Sequence, residues 1–196
     1  WLAKFPKHDD HFHVEQMEAA TLKLAQNAGI KVPEFKILTA GYRKTLLVKR
    51  FDVAEDGGRY HMISMKTVLH AQYHAWYEDI FKALKKYSVQ PSIDIPALFR
   101  QMVFNAAIGN TDDHLKNFCM LHKKTGYCLS PAYDLLPDIH GKRSHALSFP
   151  KGSGEFSPDR SVFLAFAADL NIKNPDDFFA IGERNTGSDQ DYFSRS

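Results

Sequence analysis

The chain has 196 residues, 44% of them hydrophobic and 24% charged, with a formal net charge of +2. That length suffices for one sizeable core, and so small a net charge does not by itself argue for nucleic acid. No apolar run approaches the roughly 18 residues of a membrane span, no signal-peptide pattern is read at the start, and only two cysteines occur, Cys119 and Cys128. Two buried free thiols in a cytoplasmic protein are expected, rather than a disulfide framework.

Residues 1–5 (Trp1, Leu2, Ala3, Lys4, Phe5) read as the middle of a buried strand, followed by a polar loop over 6–13. Apolar residues at Val14, Met17, Thr21, Leu24, Ala25 and Ala28 recur at spacings of three and four, which predicts a helix over 14–28 closed by Gly29. Residues 30–38 and 46–51 read as strands joined through a hairpin turn at 40–44. A short extended piece at 60–63 leads to Ser64, a predicted N-cap for a helix to residue 71. A helix is expected over 77–87, and another that starts at Asp94 as its cap and ends at Gly109. Residues 118–121 and 127–129 alternate around Lys123, Lys124, Thr125 and Gly126 as a hairpin. The motif Ser157-Pro158-Asp159 predicts a helix to 169, and Asn174-Pro175-Asp176 one to 183. The first residues look cut, and the polar tail from Asn185 to Ser196 reads as an end lacking its partner, so a fragment of a longer protein is expected.

Sheet-rich first and helix-rich second, with a hairpin inside the helical half, this order predicts an α+β, two-lobed arrangement like that of a protein kinase. Residues 1–52 are the expected partial N-lobe, ending in the hinge, and 53–196 the helical C-lobe.

The chemistry concentrates in Asn110-Thr111-Asp112-Asp113-His114-Leu115-Lys116-Asn117-Phe118 and in Pro131-Ala132-Tyr133-Asp134. Phosphoryl transfer to a hydroxyl needs a carboxylate at the attacking oxygen and oxygen ligands that hold Mg²⁺ against the nucleotide phosphates. Asp112, on a loop after a helix, suits the first role. Asn117, five residues on, and Asp134, just past the hairpin, suit the second, because Mg²⁺ takes hard oxygen donors. The bland alternative is a loop of Asx turns, where Asn and Asp abound. His114 is expected to hydrogen-bond nearby backbone and hold Asp112, and Asp113 to face solvent. Lys4, inside an apolar strand, must pair or snorkel; a nucleotide phosphate or a carboxylate from the next helix, Glu18 or Glu15, would satisfy it. The remaining histidines, His8, His11, His13 and the helically spaced His70 and His74, read as loop and surface imidazoles, since no His-Glu-x-x-His or Cys-x-x-Cys pattern accompanies them.

Four segments resemble the HipA family of bacterial serine/threonine-kinase toxins: residues 1–6, Val48-Lys49-Arg50-Phe51-Asp52, residues 104–121, and Leu129 to Pro137 (LSPAYDLLP). The resemblance implies a protein-kinase-like fold that uses ATP and Mg²⁺. It makes Lys4 the nucleotide lysine with Glu18 beside it, Asp112 and His114 the catalytic-loop pair, Asn117 and Asp134 the metal ligands, and Lys49 to Phe51 the hinge, with Phe51 near the adenine. Residues 141–149 would belong to the activation segment. Implied partners are a protein substrate such as an aminoacyl-tRNA synthetase and a HipB-like helix-turn-helix antitoxin, with DNA reached only through that antitoxin. Members also carry a phosphate-binding loop just before the lysine strand, and this sequence begins after it. Two alternatives stay open: a small-molecule phosphotransferase of the aminoglycoside type, which shares an Asp-x-His-x-x-Asn loop, and a module that binds nucleotide or antitoxin without turnover.

Overall fold

The computed structural model describes residues 1–6, 12–41, 43–71, 75–139, 141–142 and 144–179. The expected positions of His8, His11, His74 and Tyr42, the helix beyond residue 179 and the polar tail lie outside these.

Three strands open the chain. β1 (Leu2–Lys4), β2 (Phe35–Ala40) and β3 (Arg43–Val48) form an antiparallel sheet in the order β1-β3-β2, with Leu2 and Phe35 both opposite Val48. Helix α1 (Val14–Asn27) buries Leu22 and Ala25 against Leu46 and Val48 of the central strand. Of the expected stripe Thr21, Ala25 and Ala28 are buried, whereas Leu24 is 36% exposed and Leu22, outside that stripe, takes the core position. Residues 1–5 do not form a buried strand. β1 is an edge, and Trp1, Leu2 and Phe5 are 51%, 51% and 69% exposed. An apolar run carries the same pattern at a sheet edge as at its centre, because pairing partners are chosen by tertiary structure.

β4 (Met62–Ser64) joins the hairpin β5 (Cys119–Lys123) and β6 (Gly126–Leu129) in a second antiparallel sheet, order β4-β5-β6. Ser64 caps α2 (Met65–Val68), its hydroxyl accepting from the Thr67 amide at 3.3 Å, but the helix stops at Val68 and not at residue 71. α3 (Tyr77–Tyr87) and α4 (Pro91–Ile108) pack Ile80, Phe81 and Leu84 against Leu98, Phe99 and Met102 in the main core, which α5 (Arg160–Asp169) closes with Phe163 and Phe166. The last described element is a short 3₁₀ turn, Pro175–Phe178.

α4 begins three residues before the Asp94 start expected of it. Pro91 takes the first helical position, where its fixed φ and missing N–H cost nothing. Asp94 lies inside the first turn, 3% exposed, and its carboxylate accepts from Ser88 Oγ (2.7 Å), Gln90 Nε2 (2.9 Å) and the Leu129 amide (2.8 Å). At the other end Gly109, at φ +65°, turns the chain out of the helix in a left-handed conformation that a side chain would strain. Phe104 of α4 reaches the small sheet's core, together with Ala132 and Leu135, so one helix serves both halves. Cys119 and Cys128 are buried free thiols. No described helix is long and apolar enough to cross a membrane.

Candidate functional site

A cleft of about 430 Å³ lies between the first sheet and the segment after β6, lined by Leu2, Lys4, Glu18, Phe51, Tyr133 and Asp134 among others. Lys4 projects from β1 opposite Leu46, and Glu18 lies one helical turn before the buried Leu22 on the face of α1 that covers the sheet. The Lys4 ammonium stands 2.7 and 2.8 Å from the two Glu18 oxygens and 2.7 Å from Asp134 Oδ1. Three segments separated by up to 130 residues thus meet at one cation. Burial works to lower the Lys4 pKa, but Glu18 and Asp134 outweigh it and hold the ammonium above its ordinary value. Burial raises the Glu18 carboxyl, with Lys4 opposing the shift. Glu15, the other candidate partner, does not reach Lys4; its oxygens are buried without a hydrogen bond, and His13 Nδ1 is 3.7 Å away.

Asp134 holds φ +57°, a left-handed conformation uncommon outside glycine though better tolerated by Asp and Asn. Strained backbone of this kind is concentrated at functional positions. Phe51 packs its ring on Tyr133 with centroids 5.4 Å apart, and the Tyr133 hydroxyl donates to the Lys116 carbonyl at 2.7 Å. It also lies 2.9 Å from Cys119 Sγ. Burial pushes the Tyr133 phenol and the Cys119 thiol up, so both are protonated at neutral pH. Tyr133 precedes Asp134 and Lys116 precedes Asn117, so this one hydrogen bond ties the two expected metal ligands' segments together. Sequence reasoning passed over Tyr133; its one signal was an aromatic next to a singled-out Asp.

Past Gly109, Asn110 folds back on α4 through its amide to the Asn105 carbonyl (2.9 Å) and its side chain to Asn105 Oδ1 (3.2 Å). Asp112 then projects outward with its side chain 75% exposed. Asn117, 8% exposed, donates from Nδ2 to the Asp112 carbonyl at 3.0 Å, while its Oδ1 makes no hydrogen bond among the described residues. His114 does not hydrogen-bond Asp112: its Nε2 is 4.0 Å from Asp112 Oδ1, beyond hydrogen-bond reach, and its Nδ1 is buried without a partner among the described residues. Asn117 provides the tether instead. Lys49 lines the cleft, but its ammonium pairs with Glu34 at 2.8 Å. Its amide donates to the Glu34 carbonyl, also at 2.8 Å.

Asp113 does not face solvent. It is fully buried, and its carboxylate accepts from Tyr77 OH (2.6 Å), the Ala146 amide (3.0 Å) and the Leu147 amide (3.3 Å), with His145 Nδ1 at 3.2 Å. Two adjacent Asp residues carry no mark of which one the fold turns inward; four donors converging from 33 or so residues away decide it.

This arrangement of a lysine strand, a glutamate helix and a helix–loop–hairpin with two further carboxylates is a protein-kinase-like fold. The solved structures agree. HipA of the Shewanella oneidensis toxin–antitoxin system, determined with HipB and its operator DNA, matches with TM-score 0.72 at 21% identity, over 91% of this chain and 47% of that one. The Helicobacter pylori proinflammatory kinase CtkA matches with TM-score 0.62 at 16% identity, over 92% and 78%.

The chain belongs to the HipA-like C-terminal domain family, whose model matches residues 1–185. Two curated relatives from Sinorhizobium fredii, "Putative kinase Y4dM" and "Putative kinase Y4mE", are each 29% identical, the first over 88% of this chain and 47% of its own length, the second over 70% and 34%. The chain therefore spans half or less of the length of these relatives.

Proposed function

We propose that this chain is the catalytic portion of a HipA-type serine/threonine-protein kinase that transfers the γ-phosphate of ATP to a protein hydroxyl. The observation that carries this reading is the Lys4–Glu18–Asp134 junction at a cleft walled by the Phe51 and Tyr133 rings. A lysine held by a helix glutamate is the device by which kinases place a cation on nucleotide phosphates. The backbone of Arg50 and Phe51, which makes no backbone hydrogen bond among the described residues outside helices and strands, would offer the adenine edge its partners, since the Lys49 amide already bonds Glu34. Asp134 and the Oδ1 of Asn117, whose Nδ2 is taken by the Asp112 carbonyl, are hard oxygen donors of the kind that hold Mg²⁺ together with phosphates and water. A Mg²⁺ ion held by these two residues would neutralise charge on the phosphates.

In the transfer, the substrate hydroxyl oxygen bonds to the γ-phosphorus as the bond from that phosphorus to the β–γ bridging oxygen breaks, and ADP leaves. The hydroxyl proton passes to the Asp112 carboxylate, whose exposure suits a macromolecular substrate. The likeness to HipA, solved with HipB and its operator DNA, supports a HipB-like antitoxin as partner. DNA contact only through that antitoxin, an aminoacyl-tRNA synthetase as substrate and a cytoplasmic setting are carried by the family resemblance alone.

The test is calorimetry with ATP and Mg²⁺ beside transfer from γ-labelled ATP, on the intact protein. Asp112→Ala should bind nucleotide as the parent does, keep its stability within about 0.5 kcal/mol as an exposed side chain does, and transfer nothing. Transfer that survives in this variant removes Asp112 from its role. Binding without transfer in the parent itself would favour the module that does not turn over.

A further inference from the structure

Asp113 plays no part in the transfer just described, yet it is the most completely enclosed carboxylate of the loop that carries Asp112. Its oxygens are shared between two parts of the chain. Tyr77 OH, from the start of α3, donates to Oδ2 at 2.6 Å and itself accepts from Asn105 Nδ2 of α4 at 3.1 Å. The amides of Ala146 and Leu147 donate to Oδ1, and His145, 4% exposed, places Nδ1 3.2 Å from Oδ2. The imidazole's other nitrogen lies 3.0 Å from Ser157 Oγ, which in turn reaches the Ala106 carbonyl of α4 at 3.4 Å. The backbone closes the same junction, with the Ala146 amide also 3.0 Å from the Thr111 carbonyl, and Ser148 exchanging hydrogen bonds with Ala75 and Tyr77. Every link between loop 110–113 and segment 145–148 among these runs from a segment donor to a loop acceptor.

We infer that Asp113 and His145 form a positioning pair that docks segment 145–149 against the catalytic loop, so that the segment is held by its own backbone donors without a phosphate on it. The inference rests on the kinase reading for its consequence in turnover, and on geometry alone for the latch itself. In kinases switched by their activation segment, an added phosphate orders that segment by pairing with arginine. Here the loop presents a buried carboxylate to the segment. A phosphate brought to this junction would meet like charge.

Because Asp113 follows Asp112 directly, it acts on chemistry through its neighbour. Freeing the segment lets the loop drift, and a displacement of about 1 Å at the reacting group costs roughly 10²-fold in rate.

The test uses the intact protein and three variants, Asp113→Asn, His145→Gln and the milder Tyr77→Phe, read by amide hydrogen exchange, ATP calorimetry and transfer from γ-labelled ATP. The parent should protect the Ala146 and Leu147 amides, before and after phosphatase treatment. Asp113→Asn and His145→Gln should speed exchange in peptides over 144–149 while those of β1–β3 and α1 keep their rates. ATP affinity should stay within twofold and kcat fall by about 10². Tyr77→Phe should show the same pattern at smaller amplitude, which keeps the test alive should Asp113→Asn not fold. Exchange that rises evenly over the whole chain would make Asp113 an ordinary core residue and overturn the inference, as would protection that disappears with phosphatase. A parent that transfers no phosphate but shows the local exchange pattern would sink the kinase reading and leave the latch standing.

Discussion

Burial and two carboxylates pull Lys4 in opposite directions, and the carboxylates prevail. Its pKa in the folded chain lies above the ordinary 10.5, so the protonated lysine contributes stability in full below that value and loses the contribution as pH rises through the raised one. The unfolding midpoint of the parent should therefore fall more steeply above pH 10.5 than that of Lys4→Met; parallel alkaline limbs in thermal melts would show that the junction adds nothing to stability. Glu18 moves the other way from a simple salt-bridge partner, its carboxyl raised because burial outweighs the lysine. The junction is thus held together at a cost to Glu18, as expected of groups arranged for a ligand. At this same scale Asp112 and Asp113 differ in position by one residue and in environment completely, one facing water and the other enclosed by donors.

Among the elements, α4 sets the geometry of the site. Its first turn is bound to the β5–β6 hairpin because Asp94 accepts the Leu129 amide, and its end at Gly109 launches the loop that carries Asp112. Asp94→Ala would leave the Leu129 amide and Ser88 hydroxyl without their acceptor, and a loss of about 1–3 kcal/mol is expected. Urea unfolding measures it, and a loss below about 0.5 kcal/mol would mean that water replaces the carboxylate. The helix itself was legible from its long apolar face, and so was its glycine stop. Its start was not, because an Asp in the first turn and an Asp at the cap look alike until the backbone N–H groups that they accept from are in place.

For the whole molecule, Phe104 is one of the contacts that join the two halves. It belongs to α4 and yet is buried with Leu22, Leu46 and Val48 in the core of the small sheet, while Arg100 of the same helix donates to the Ala28 carbonyl at 3.0 Å. Phe104→Ala should cost about 3–5 kcal/mol, with circular dichroism and tryptophan fluorescence still tracing one denaturation curve. Two separated transitions in the parent would mean that the halves fold independently and that this contact is incidental.

Much of this protein was present in its one-dimensional pattern. Periodicity and cap motifs marked the presence of the strands and main helices but not all their bounds, since the strands expected over 30–38 and 46–51 lie at Phe35–Ala40 and Arg43–Val48. The order Asp112, Asn117, Asp134 with Lys4 ahead of them pointed to the chemistry proposed above. Local pattern could not say that β1 is an edge, that Asp113 turns inward, that Tyr133 joins the segments of Asn117 and Asp134, or that Lys4 meets Asp134 as well as Glu18. Each of those depends on groups from 17 to 130 residues apart competing for the same donor or the same cavity. Burial makes that competition strict, since an enclosed polar atom must find a partner, and only the folded chain determines which partners are within reach.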